Sequence, residues 1–135
     1  MAVKKETVNW FYDGKEIKSL ADTAKGSIGF VYKITNITKG LTYIGRKTML
    51  KPNKTKLVKP PEYPWKTYCG SSKALLEDLK NGDEYSKEIL VWCYSKAELT
   101  YHETSFILCS GALLDEKSYN FWIKATVYKK HLMKK

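Results

Sequence analysis

Apolar positions fall into short β-like runs separated by turn residues, with helical stripes appearing in the second half of the chain. Trp10-Phe11-Tyr12 precedes Asp13-Gly14 and then Lys15-Glu16-Ile17, the signature of a strand, a turn and a return strand. Phe30-Val31-Tyr32 and Tyr43-Ile44-Gly45 read as two more strands within residues 27–46. Val31, Ile34 and Ile44 are β-formers, and Asn36 and Gly40 supply the turn. Residues 86–94 carry a continuous apolar run from Ile89, which predicts a central, well-covered strand. Helical spacing then takes over. Leu75, Leu76 and Leu79 form one stripe, with Ser71 or Ser72 as the cap and Gly82 as the stop, predicting a helix over 72–81. A second helix, 96–110, opens on Ser95 with capping-box spacing to Glu98 and ends near Gly111.

Residues 49–64 break the pattern. All four prolines lie there (Pro52, Pro60, Pro61 and Pro64), interleaved with Lys51, Lys54, Lys56 and Lys59. Proline lacks the amide donor that a helix or ladder needs, so this stretch predicts a stiff basic loop. Its lysines can clamp a phosphate backbone or simply stay solvated. The aromatic run at 10–12 has two readings as well, a hairpin packed on the main sheet or an arm that stacks on bases. Three adjacent aromatics are costly to leave in water, which favours packing.

Charge sharpens this outline. The 135 residues, one domain by size, carry a net +10 that is unevenly placed. Residues 26–60 hold eight Lys/Arg and no acid, whereas residues 61–116 sum to −5 and residues 117–135 to +6. Two basic segments flanking an acidic one make a directional field, for which a phosphate backbone is the natural partner. Cys69, Cys93 and Cys109 cannot all pair and lack the spacing of a metal motif, which points to free thiols and a reducing compartment. With no signal-like N-terminus and no membrane-length apolar run, a cytoplasmic location is expected.

Candidate chemistry follows from helical position. Glu103 lies four residues after Leu99 and three and four before Phe106 and Ile107, so its carboxylate sits on or beside the buried face. Such a group needs a cation or strong donors. A divalent metal would satisfy it; a glutamate at the edge of the face could instead reach solvent or pair with a lysine. Glu98, its neighbour on the same helix, is explained by its cap. Ser72 and Lys73 stand at a helix N-terminus, a favourable place to hold a phosphate.

The triplets Phe30-Val31-Tyr32 and Tyr43-Ile44-Gly45, with ten residues between the tyrosines, resemble the GIY-YIG nuclease superfamily. The second triplet is intact. The first has Phe-Val-Tyr where Gly-Ile-Tyr is usual, and Tyr32 is the member that carries chemistry. The resemblance spans residues 26–123 and implies an α+β fold, a small three-stranded antiparallel sheet flanked by helices. Around that core lie the hairpin or arm at 1–25, the proline-rich insertion at 49–64 and a basic tail at 124–135. The resemblance also implies metal-dependent hydrolysis of double-stranded DNA. Tyr32 would act as the base, directly or by relay through Tyr43 or a lysine, and Glu103 would hold Mg²⁺ or a similar ion such as Mn²⁺. Asn120 would brace the site. The family's helix arginine is missing, because the helix at 72–81 has no Arg; Arg46, Lys47 or Lys73 is left to supply the cation.

Two other function classes use the same features: a non-catalytic DNA- or RNA-binding domain of this fold, and a basic inhibitor of an acidic protein. Larger relatives carry a separate recognition domain, for which 135 residues leave no room. Specificity is therefore expected from the loop, the termini, a homodimer or a protein partner. Compact lysine-rich nucleases of this kind resemble bacteriophage homing or restriction-like enzymes.

Overall fold

In a computed structural model of the chain, residues 8–50, 64–123 and 125–133 are described. Lys51, Lys54, Lys56 and Lys59, proposed above to meet DNA, lie outside the described residues. The strands are β1 (Trp10–Tyr12), β2 (Lys15–Ile17), β3 (Gly29–Asn36), β4 (Leu41–Thr48) and β5 (Tyr85–Cys93). The helices are α1 (Pro64–Thr67), α2 (Lys73–Lys80), α3 (Lys96–Cys109) and α4 (Lys129–Leu132).

The α+β class is as expected, but the sheet is wider. It has five strands in the order β2-β1-β5-β3-β4 and is mixed, because β1 runs parallel to β5. The three-stranded antiparallel sheet is its β5-β3-β4 part. The difference lies in the aromatic hairpin, which does not lie on the sheet but extends it along the open edge of β5. Trp10 drives this docking. It is fully buried, with its ring 4.9 Å from Phe30 and 5.0 Å from Tyr32. Phe11 and Tyr12, at the same edge, remain partly exposed.

Each face of the sheet has its own cover. Phe30, Tyr32, Ile34 and Ile89 pack under Trp65 of α1 and Leu75 of α2, while Val31, Ile44 and Cys93 pack under Leu99 and Ile107 of α3. The period of two along β3 therefore sends Tyr32 to one side and Val31 to the other. A bulge interrupts the β3–β5 register between Val31 and Tyr32; Val31 faces Val91, Tyr32 faces Ile89, and Leu90 is the extra residue. Bulges sharpen twist and re-aim side chains, and this one lies at the first motif tyrosine. The 49–64 stretch also begins later than its proline pattern suggested, since Met49 is fully buried and donates its amide to Ile28 at 2.8 Å. Of the three thiols, Cys93 is buried, Cys69 half-buried and Cys109 exposed. No helix among the described residues is long and apolar enough to cross a membrane.

One buried charge escaped the sequence pattern. Lys87, on β5, is 1% exposed, and its Nζ donates to the carbonyls of Lys66 at 3.1 Å and Tyr68 at 2.8 Å, 4.3 Å from the Trp10 ring centre. It ties the chain after α1 to the sheet. Burial lowers its pKa to about 8. The unfolded chain keeps this proton until the ordinary value of 10.5, so between the two values it binds more protons than the fold. Stability attributable to Lys87 should thus rise with pH across that window, by up to roughly 3 kcal/mol. Denaturant melts at pH 7.5 and 10 on the parent and on Lys87→Met test this. A stability difference between the two proteins that stays flat with pH would contradict it.

Candidate active site

The β3–β4 register sets Tyr32 opposite Gly45 and Val31 opposite Arg46. Side chains from both faces of β4, the outermost strand, reach a cavity of about 920 Å³. Tyr32 and Tyr43 enter from the α2 side, Arg46 and Glu103 from the α3 side, and Lys73 from the start of α2. Residues as far apart in the chain as Tyr32 and Ile123 thus converge.

Tyr32 is 1% exposed and lies among Trp10, Tyr43 (ring centres 6.2 Å apart) and Tyr68 (6.0 Å, edge on). Gly45 makes room for it. A Cβ at position 45 would strike the Tyr32 hydroxyl and approach its Cζ to 2.7 Å and Tyr43 Cε2 to 3.0 Å. The glycine of the second triplet is therefore the space into which the tyrosine of the first fits. Gly45→Ala should destabilise the fold by roughly 1–3 kcal/mol, as overpacking does, and displace both phenols. A melting temperature equal to the parent's would refute that close fit.

Burial pushes the Tyr32 phenol far above its ordinary pKa, and the neighbouring Tyr68 and Tyr43 add to the effect. Tyr43 is also raised, mainly by burial, against which a hydrogen bond between its hydroxyl and Ser71 Oγ (3.2 Å) acts. Both phenols are held neutral at physiological pH. Tyr43 is the more accessible of the two.

Glu103 lies where helical spacing put it, half-buried on α3. Burial raises its pKa above the carboxylate range, and Arg46 pulls the other way. The ion pair is loose, with Arg46 Nε 3.9 Å from Oε1, and the Arg46 guanidinium also donates to Thr100 Oγ1. A partly desolvated carboxylate with one distant counter-charge, open to the cavity, suits a hard divalent cation such as Mg²⁺ or Mn²⁺. Among the described residues no three His, Cys, Asp or Glu side chains converge. Glu103 would then be the residue to hold the cation. Glu98 is spoken for, since its carboxylate accepts from Tyr94 N–H at 3.1 Å and its amide donates to Ser95 Oγ at 3.1 Å.

The cation candidates separate. Arg46 and Lys73 line the cavity, whereas Lys47 lies over Tyr68, its Nζ 4.4 Å from the ring centre, with its pKa lowered by burial. Ser72 caps α2, accepting from Leu75 N–H at 3.2 Å, so the positive end of the helix opens on the cavity beside Lys73.

Asn120 binds backbone. Its Oδ1 accepts from Ile44 N–H at 2.9 Å and its Nδ2 donates to Ile44 C=O at 2.8 Å, an amide standing in for a strand residue. The preceding residues continue this pairing, with Thr42 N–H donating to Lys117 C=O (2.9 Å) and Tyr119 N–H to Thr42 C=O (2.7 Å). Residues 117–120 therefore seal the outer edge of β4 and fix the second triplet between its two tyrosine-bearing neighbours. Tyr68, Ser71 and Thr100 are neighbours of the site that sequence reading missed. The pattern marks Ser71 only as a cap candidate, and nothing in 65–70 or α3 marks the other two.

A family model described as "Putative endonuclease segE, GIY-YIG domain" matches residues 10–125, a span that takes in the N-terminal hairpin together with the motif strands. No curated protein and no solved structure matches the chain.

Proposed function

The chain belongs to the GIY-YIG endonuclease domain family, and from that premise we propose that it hydrolyses phosphodiester bonds of double-stranded DNA with the help of a divalent cation. One observation carries the reading: two tyrosines, an arginine, a lysine and a half-buried glutamate from four separate elements line one cavity. Arg46 and Lys73 flank the scissile phosphate and neutralise the charge that builds on it, the arginine taking the place of the absent helix arginine. Glu103 would hold the cation, which would supply positive charge to offset the negative charge developing on the leaving 3′ oxygen. Because both phenols resist ionisation, they work as a relay and not as a standing phenolate. The hydroxyl that takes the proton of the attacking water gives up its own in turn: Tyr32 would hand it to Tyr43, whose ring centre lies 6.2 Å away, and Tyr43 through its hydrogen bond with Ser71 to solvent. The water's O–H and the P–O3′ bonds break as the new P–O bond forms, and the departing 3′ oxygen takes up a proton from solvent.

Incubation of supercoiled plasmid with the full chain, with and without Mg²⁺, tests the proposal. Nicked or linear product in Mg²⁺ alone is expected, and none from Glu103→Gln. Salt-sensitive DNA binding without turnover would instead leave a binding domain of this fold.

Arg46 has a second expected effect, through Glu103. Since the guanidinium holds the Glu103 pKa down against burial, Arg46→Gln should raise it. The acidic limb of the pH–rate profile should therefore move to higher pH in the variant, beyond the drop in rate at the plateau. A carbon NMR titration of Glu103 in the metal-free protein reads the same shift directly. An unmoved limb and titration would mean that Arg46 and Glu103 act independently.

A further inference from the structure

Three large apolar residues follow the Asn120 anchor and stand at the lip of the cavity. Phe121 is 81% exposed, Trp122 60% and Ile123 38%, and all three line the cavity that holds Arg46, Lys73 and Glu103. They are not a frayed end. The backbone just before them is stitched to β4 through Lys117, Tyr119 and Asn120, and the Asn120 amide makes two bonds to Ile44. A rigid mount thus presents an aromatic pair to water beside the candidate chemistry. Exposed aromatics in contiguous array mark a contact surface.

Charge says what the contact is. The wall they share carries Arg46, Lys73 and the N-terminus of α2, and residues 117–135 contain six lysines and no acid. An acidic, flat-faced partner fits, and DNA bases beside a phosphate have both properties. A duplex is convex, whereas this site is recessed, so a scissile phosphate reaches it more easily where the stack is opened. Aromatic side chains at such a position can stack on an unstacked base or wedge a base step.

We propose that Phe121 and Trp122 stack on an unpaired base next to the scissile phosphate, so that the protein favours DNA already unstacked at that point. The inference rests on the DNA-cleaving function proposed above, but its test is separable. The metal-free Glu103→Gln protein is titrated into two fluorescent duplexes of about 30 base pairs, one fully paired and one with a single bulged 2-aminopurine. Tighter binding to the bulged duplex and altered 2-aminopurine emission are expected. Trp122→Ala should weaken that binding by roughly 5- to 100-fold, the worth of one stacked base, with Phe121→Ala acting in the same sense. Binding to the paired duplex and its salt slope should change little. Equal affinities for the two duplexes, or a bulge preference untouched by both substitutions, would overturn the stacking role while leaving the nuclease reading intact. A concentration-dependent dimer in sedimentation that Trp122→Ala dissolves would overturn it too, since a second copy would then cover the pair. Failure to bind either duplex would overturn both readings together.

Discussion

Glu103→Gln should lower Mg²⁺-dependent cleavage by roughly 1000-fold or more while leaving the fold's stability nearly unchanged. The size reflects the several kcal/mol that a positioned metal contributes to charge stabilisation at a phosphoryl centre. The small stability change follows from the structure. Glu103 is half-buried and its pair with Arg46 is loose, at 3.9 Å, so it contributes little to holding α3 in place. Glutamine keeps the shape and removes the charge that burial opposes. Plasmid cleavage, thermal melting and calorimetric Mn²⁺ binding to the parent and the variant separate the cases. Parental Mn²⁺ affinity in the variant would remove Glu103 from the metal site whatever happened to the rate. Glu98→Ala, five residues earlier on α3, is the contrasting control. It should cost about 1 kcal/mol of stability through its lost contact with Tyr94 N–H and leave cleavage alone.

The two phenols should fail together. Tyr32→Phe and Tyr43→Phe each remove one hydroxyl and keep the ring packing, and each should cost roughly 100-fold or more in rate. In a relay, one break stops transfer, so the double variant should be hardly slower than either single one. Independent contributions predict the product of the two losses. A Tyr32→Phe enzyme at the parental rate, with Tyr43→Phe dead, would mean that the buried phenol serves packing alone and that the proton leaves through Tyr43 and Ser71. Single-turnover cleavage rates for the three variants, with circular dichroism to confirm folding, decide between these outcomes.

Local order was legible in the sequence where a period or a cap encoded it. The alternation through Phe30-Val31-Tyr32 and Tyr43-Ile44-Gly45 gave β3 and β4, and Ser72 and Ser95 gave the starts of α2 and α3, because each signal is written in residues that touch one another. The stripe of α3 placed Glu103 at the edge of the core for the same reason. What the sequence hid was long-range. Nothing in Trp10-Phe11-Tyr12 states that its partner is β5, more than 70 residues away, or that the pairing is parallel. Lys87 reads as an exposed lysine in a strand until the carbonyls of residues 66 and 68 are seen above it. The choice among Arg46, Lys47 and Lys73 likewise needed the sheet, since successive residues of an edge strand point to opposite faces and only the cavity tells which face matters.

The seal that residues 117–120 place on β4 has a consequence for the order in which the protein becomes competent. During synthesis β3, β4, β5 and the helices between and after them emerge before Ser118 and Asn120, yet the Ile44 backbone waits for an amide 76 residues downstream. Such distant closures form late, because the loop entropy must be met before the contact rewards it. The sheet can therefore assemble while the Tyr43-Ile44-Gly45 edge is still open. A nascent chain would carry the tyrosines before Asn120 braces the Ile44 backbone beside them, so the braced form of the second triplet would arrive as a late step of folding.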